Sequence, residues 1–349
     1  MGYTDTDQYQ QEIAEQYKKR VVKFSKKEVV AALAKLGFEM AEHDLEEARV
    51  GNMNATYLAP DIVVKVSGDR SEVNFFANTI ISDRLGEHQP VVKVLGYDNF
   101  EKTDFEILVM KRSQGKLLLD DIFTLSQDAL KDIFKQILAV VREMFAVSFE
   151  DFGGVNNTNE HFATYSNYLM HGFHQHISTI REQKLCREGD IDRVEQYVDG
   201  HIHIFNQETP VFIHTDLHMG NIMHTGDKLT AILDFDYSLR APKVVALESL
   251  LGFIHNPQQF VEGTVDFPKY QGKKFSFLLP VLREELKEVF ADPLLVRKLN
   301  LNGICSGIMW IADNWSAEWN KETMGSIIAH ELHENEKGLA HSYYGKILS

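Results

Sequence analysis

The sequence predicts an α+β protein of two lobes, a small β-rich N-terminal lobe over residues 1–112 and a larger, mainly helical C-terminal lobe over 113–349. Three observations lead there. Short apolar runs rich in β-branched residues, "IVVKV", "PVVKVLGYD" and "FEILVMKR", crowd the first third around one helical stretch. From about residue 120 the apolar residues recur at helical spacing instead. One polar cluster, "HTDLHMGN", breaks into those helices between two short strand-like runs.

Element by element, residues 8–36 read as one or two helices added ahead of the N-terminal sheet. Ser25 and Glu28 have the spacing of a capping box, and Gly37 is placed to end the helix. Residues 48–67 read as two short strands around a turn, and a helix is expected over about 70–85 with Asp69 as its N-cap. Residues 126–147 form an amphipathic helix starting at a Ser cap. Further helices are expected at about 160–182, 190–206, 243–255, 276–292, 295–318 and 322–346, with short strands at 211–213 and 229–233.

Composition narrows the function. Lys+Arg 36 against Asp+Glu 51 gives a net charge of −15, which disfavours nucleic acid as a partner, since phosphate contacts need clustered bases. The same charge suits a cationic small molecule. No apolar run approaches the roughly 20 residues needed to span a bilayer, so no membrane partner is expected. The polar start "MGYTDTDQYQ" does not read as a secretory signal, and the two cysteines, Cys186 and Cys305, form no ligand or disulfide pattern. A reducing, cytoplasmic setting is the expectation.

The chemistry concentrates at 211–236. "VFIHTDLHMGNIM" carries His214, Asp216, His218 and Asn221, and "AILDFDYS" follows with Asp234 and Asp236. A metal-dependent hydrolase would take His214, Asp216, His218 and Asp234 as ligands. An ATP-dependent phosphotransferase would use Asp216 as the base for an attacking hydroxyl, with Asn221 and Asp234 as oxygen ligands for Mg²⁺. The strand before His214 and Gly220 after it argue for a loop, not the helix that would bring His214 and His218 onto one face, and the second reading is favoured.

The residues His214, Asp216, Asn221 and Asp234, in the form "HTDLHMGN…LDFD", resemble the signature of the aminoglycoside phosphotransferase and choline kinase superfamily. Thr215 stands where protein kinases usually carry Arg, and "DFD" replaces their D-F-G. The resemblance implies a bilobal protein-kinase-like fold, ATP (or GTP) and Mg²⁺. It implies Asp216 as catalytic base and Asn221 and Asp234 as metal ligands, with His214 bracing the loop. His218 is left as brace or substrate contact, and Asp236 as loop support or second-metal contact. A non-catalytic nucleotide-binding module is the alternative of a different class.

Such a fold needs a strand Lys for the phosphates and a helix Glu to hold it. Lys65 in "IVVKV" and Glu72 are the candidates. "VGNMNATY" resembles the glycine-poor phosphate loop of this group, with Gly51, Asn54 and Thr56 in place. "ILVMKRSQGKLL" resembles the hinge, Val109–Lys111 offering backbone groups to adenine and Gly115 marking the lobe crossing. After the metal Asp this family often has a further loop-bracing acid, and Glu248 is the residue nearest to that role. For the acceptor, Trp310, Asp313, Trp315 and Glu318 in "WIADNWSAEW" could bind a cationic amine by cation–π and ion-pair contacts. The acceptor expected is an aminoglycoside-like aminosugar, with a choline-like amino alcohol or other metabolite behind it.

Overall fold

The computed structural model describes residues 6–20, 24–48, 54–68, 75–156, 160–313, 316–332 and 342–348. Two helices come first, α1 (Asp7–Arg20) and α2 (Lys26–Lys35). The capping box at the start of α2 forms as the spacing predicts: Ser25 Oγ accepts the Glu28 N–H and Glu28 accepts the Ser25 N–H. Gly37, at φ +86°, ends the helix in a conformation that favours glycine.

The N-terminal sheet contains β1 (Glu46–Glu47), β2 (Ala55–Leu58), β3 (Ile62–Ser67), β4 (Val94–Asn99) and β5 (Glu106–Lys111), with α3 (Phe76–Leu85) between β3 and β4. Its order is β1-β2-β3-β5-β4, every pair antiparallel. Strand alternation divides its residues between two covers. Ile62, Val64, Val66, Ile107 and Val109 pack with Val29 and Leu33 of α2. Leu108 and Met110, on the other face, pack with Phe75 and Ile81. Both faces are covered, so β3 reads as an apolar run apart from Lys65 and the final Ser67. Because Lys65 alternates with Val64 and Val66, it falls on the face turned away from α2.

The C-terminal lobe opens with β6 (Lys116–Leu117) and α4 (Leu118–Asp121). Its pillar is α5 (Gln127–Ala146), capped by Ser126 Oγ on the Ala129 N–H. Leu130, Ile133, Phe134, Ile137, Leu138, Val141, Met144 and Phe145 of α5 are buried at helical spacing. Each such aliphatic burial adds about 1.5–3 kcal/mol. After β7 (Gly153–Gly154) come α6 (Tyr165–Gln183), α7 (Glu188–His201), β8 (Val211–Ile213), β9 (Ile222–Thr225), β10 (Lys228–Ile232) and β11 (Leu239–Ala241). These make two three-stranded sheets, β10-β9-β6 and β7-β11-β8.

Helices finish the lobe: α8 (Ala246–His255), α9 (Phe267–Tyr270), α10 (Leu279–Glu285), α11 (Lys287–Phe290), α12 (Leu295–Ala312), α13 (Ala317–Ser326) and α14 (Tyr343–Leu348). Two expected single helices are broken. The one at 276–292 is interrupted at Leu286, which leaves helical geometry at φ −116°, ψ 36°. The one at 295–318 ends at Ala312, because Ser316 caps a new helix by accepting the Trp319 N–H. No described helix is long and apolar enough to cross a membrane.

Candidate active site

All three residues of β8 are buried. The strand pairs with β11, and Phe212 donates its N–H to Val147 at the end of α5, 2.9 Å away. The 214–221 loop therefore leaves the core at a fixed point. His214, 4% exposed, ties the loop to the next segment. Its Nε2–H donates to the Leu233 carbonyl at 2.9 Å, and its Nδ1 accepts the Asp216 N–H at 3.2 Å. Burial lowers its pKa, against the opposing pull of the Leu233 carbonyl and the nearby carboxylates, so the ring is neutral. With one nitrogen donating and the other accepting, no lone pair remains for a metal, which removes His214 from the hydrolase ligand set.

Asp216 projects outward, its side chain 45% exposed. Asn221, buried, turns its Nδ2 to Asp216, 2.8 Å from the backbone oxygen and 3.2 Å from Oδ2. These bonds use the amide nitrogen and not the amide oxygen. The Leu233 N–H donates to the Asn221 carbonyl at 2.9 Å, which fastens the root of Asp234 to the loop. Asp234 itself sits at φ +64°, a left-handed conformation that Asp tolerates better than most residues. His218 stacks on Phe260, ring centroids 4.5 Å apart and planes at 7°.

From the N-terminal lobe, Lys65 Nζ reaches Asp234 Oδ1 at 2.9 Å and also bonds Asp236 Oδ2. The side chain of Lys65 is 10% exposed, that of Asp236 2% and that of Asp234 40%. Burial works against every charge here. For Asp234 the Lys65 ammonium overcomes it and holds the carboxyl below its usual range. For Asp236 burial prevails, joined by the Asp234 charge, and its pKa is pushed up to about 7 in spite of Lys65 and Asn78. Lys65, held between two carboxylates, stays protonated despite burial.

Asp236 is the point where the lobes meet. Its Oδ2 accepts Asn54 Nδ2 at 2.9 Å, its Oδ1 accepts Asn78 Nδ2 of α3 at 2.9 Å, and its carbonyl accepts Asn156 Nδ2. Asn54 stands at the edge of β2, so it acts here as a brace on Asp236. Thr56 lies opposite Lys65 in the β2–β3 register. Sequence reasoning missed Asn78 and Asn156. Asn78 carried a signal: it lies in the stripe Phe75, Asn78, Ile81, Leu85, and a polar group on a buried face must find a partner. Phe260 offered none.

Other candidates fall differently. Gly51, Glu72 and Trp315 lie outside the described residues. The expected hinge residues lie at the end of β5. Val109 pairs with Val64 on one side and Gly96 on the other, and Lys111 gives its N–H to the Lys93 carbonyl. Val109 thus lies inside the sheet and the Lys111 N–H is engaged there, and the Arg112 N–H that follows donates to the Asp61 carbonyl at 2.8 Å. Gly115 lies between β5 and β6 at φ +107°, where a Cβ would stand 2.2 Å from the His224 carbonyl oxygen. Glu248 is not a loop brace, because its partners are Asn302, Ser306 and Tyr344 on α12 and α14. Trp310 and Asp313 lie at the C-terminal end of α12 and Glu318 in the first turn of α13, with Asp313 near His176 of α6. Among the described residues, no hydrogen bond runs from these helices to Asp236.

Among solved structures the chain is similar to a thermostable mutant of the aminoglycoside phosphotransferase APH(4)-Ia, in ternary complex with AMP-PNP and hygromycin B. Identity is 14%, the TM-score is 0.58, and 82% of this chain and 93% of that one are covered. It is also similar to APH(2″)-IIa in its streptomycin–ATP ternary complex, at 14% identity and a TM-score of 0.59, over 89% of this chain and 98% of that one. These likenesses show the bilobal protein-kinase-like fold. No curated protein sequence matches the chain. The APH model of the phosphotransferase enzyme family matches residues 44–245, more than half of the chain and every polar residue gathered around Asp216 and Asp236, so this protein is a member of that phosphotransferase family.

Proposed function

We propose that the protein transfers the terminal phosphoryl group of ATP or GTP to a hydroxyl of a small amine-bearing acceptor, an aminoglycoside-like aminosugar in the first instance. The observation that carries this is the Asp216 carboxylate, half exposed, with Asn221 donating to its Oδ2 and with its backbone N–H held by His214 Nδ1. It meets the need of a phosphotransferase for a positioned acceptor of the hydroxyl proton. The acidic chain, at −15, and neighbours crystallised with hygromycin B and streptomycin support a cationic acceptor.

In this reading Asp216 orients the acceptor hydroxyl and takes its proton as the oxygen attacks phosphorus. Lys65 holds the phosphates as a buried cation, and the Asn54–Asp236–Asn78 bonds keep the lobe that carries it in register. Asn221 Oδ1 and the half-exposed Asp234 carboxylate are hard oxygen donors of the kind Mg²⁺ prefers, and the two would hold that ion. When bound, Mg²⁺ supplies neutralisation of phosphate charge. His214 stays neutral and keeps the Asp216 and Asp234 segments together.

The test is product analysis with Mg²⁺ and ATP or GTP over aminoglycosides, choline-like amino alcohols, sugars and amino acids. An O-phosphorylated aminosugar is the expected product. Phosphocholine-like products instead would correct the acceptor, and nucleotide-independent turnover with Zn²⁺ would overturn the reading.

A further inference from the structure

The acid–amide–histidine cluster has a neighbour that lies beyond the family-matched residues 44–245 on both sides. We propose that Phe260 is a positioning residue for Asp216, acting through the His218 ring, and that α1 is the helix that holds Phe260 in place. The inference rests on the reading of Asp216 as the base.

His218 is gripped on its face and on one edge. Phe260 lies parallel to its ring at 4.5 Å, while Nδ1 accepts the Gly220 N–H at 3.1 Å. A neutral imidazole that accepts at Nδ1 carries its hydrogen on Nε2. Nε2 stands 3.5 Å from Asp216 Oδ1 and 3.2 Å from Asn221 Nδ2. The Asn221 amide is already given to Asp216, so the Nε2–H faces the carboxylate. Asn221 Nδ2 donates to Oδ2 at 3.2 Å and His218 Nε2 stands 3.5 Å from Oδ1, so the two side chains flank both oxygens of the group that must meet the acceptor hydroxyl. Without the stacked ring, the imidazole has a free face and can turn about its side-chain torsions.

Phe260 belongs to the short helical turn Pro257–Val261, fitted tightly against α8: a Cβ on Gly252 would meet its ring at 3.2 Å. The next residues are clamped by α1. Tyr9 Oη donates to Glu262 Oε2 at 2.8 Å, and Gln10 Oε1 accepts the Gly263 N–H at 2.6 Å. Tyr9 and Ile13 are buried, 2% and 3% exposed. Gly263, at φ +72°, lets the backbones close: a Cβ there would stand 2.9 Å from the Ala14 nitrogen and from Ile13 Cγ2. The following helix, α2, packs on the N-terminal sheet, so α1 and α2 straddle the two lobes. A helix that precedes the family-matched region thus steadies, through one turn, a ring beside the reacting carboxylate.

The test uses the full-length protein and measures Mg²⁺-ATP turnover, without acceptor and with hygromycin B. The tautomer of His218 is read alongside by ¹⁵N NMR of labelled histidine. Phe260→Ala and Phe260→Leu should lower kcat roughly 10- to 100-fold, the scale set by misplacing a reacting group. The KM for ATP should stay unchanged, and the His218 Nε2–H tautomer signal should weaken. Phe260→Tyr, which keeps the ring, should recover kcat to within about threefold, less than half the activation free energy of a tenfold loss. Gly263→Val, which wedges α1 away, should change kcat in the same direction as Phe260→Leu and to a smaller extent. A folded Phe260→Leu with wild-type kcat and an unchanged His218 signal overturns the proposal, as does a Phe260→Tyr as impaired as Phe260→Ala. Asp216→Asn separates the two levels. If it turns over normally, the base assignment itself fails, and if it is inactive while Phe260→Leu is fully active, only the role of Phe260 fails.

Discussion

Asn78 of α3 donates its side-chain amide to Asp236 at 2.9 Å, joining the helix of the small lobe to the segment that carries the metal-ligand candidate Asp234. Both residues are buried, and the same Asn78 accepts the Phe235 N–H at 3.4 Å through its Oδ1. The amide therefore sees both a carboxylate and a backbone donor, and no other side chain of its size offers both. Asn78→Ala should lower stability by about 1–3 kcal/mol, the cost of leaving buried partners unmade, as read from urea denaturation midpoints. A loss below about 0.5 kcal/mol would show that water replaces the amide.

Lys65→Met removes the cation between two carboxylates. Breaking a buried pair can cost about 3–5 kcal/mol, yet Asp236, already pushed up to about 7, can take a proton, and Asp234 is half exposed. The destabilisation should accordingly be small near pH 6 and grow toward pH 8, where Asp236 must carry its charge unpaired. Nucleotide turnover should be lost at both values. Denaturation at the two pH values checks the sign, and a destabilisation that shrinks as pH rises would contradict it.

The polar cluster of the candidate site was legible because His214, Asp216, Asn221 and Asp234 lie close together in the chain, where spacing survives in the sequence. Lys65 was legible for a similar reason, since a charged residue in the middle of a run buried on both faces has to be there for its charge. The lobe-joining amides were harder. Asn54, Asn78 and Asn156 come from three separate segments and meet only on Asp236, and nothing local fixes which carboxylate they find. Glu248 was drawn toward the loop by its position in the chain, while helix packing sends it to α12 and α14. Phe260 could not be read at all: its partner lies 42 residues away and stacking leaves no spacing rule.

Glu248 gives a pH test away from the site. Burial pushes its carboxyl up to about 7, with hydrogen bonds from Asn302, Tyr344 and Ser306 only partly offsetting this. Its Oε1 has no hydrogen-bond partner among the described residues. An acid whose folded pKa is raised contributes fully below its unfolded pKa, near 4.5, and that contribution is lost as pH rises through about 7. Glu248→Gln should remove a fall in stability on the order of 3 kcal/mol across that window. Parallel stability curves for the two proteins would contradict the assignment.

Gly115→Ala tests the lobe crossing. The residue needs φ +107° and has the His224 carbonyl oxygen 2.2 Å from its would-be Cβ, so backbone must move. A destabilisation above about 2 kcal/mol, or a raised KM for nucleotide from a shifted lobe, is expected, since both strain and a clash act at once. A variant that matches wild type in melting temperature and KM would show the crossing to be pliable.

The central claim, that Asp216 is the base of a phosphoryl transfer, is tested most directly by Asp216→Asn in two measurements on one sample: nucleotide affinity by calorimetry and the rate of transfer to the acceptor found for wild type. The account predicts affinity within a few-fold of wild type and a rate lower by about 10²–10⁴, the range a positioned base supplies. Transfer at a rate close to wild type would contradict it.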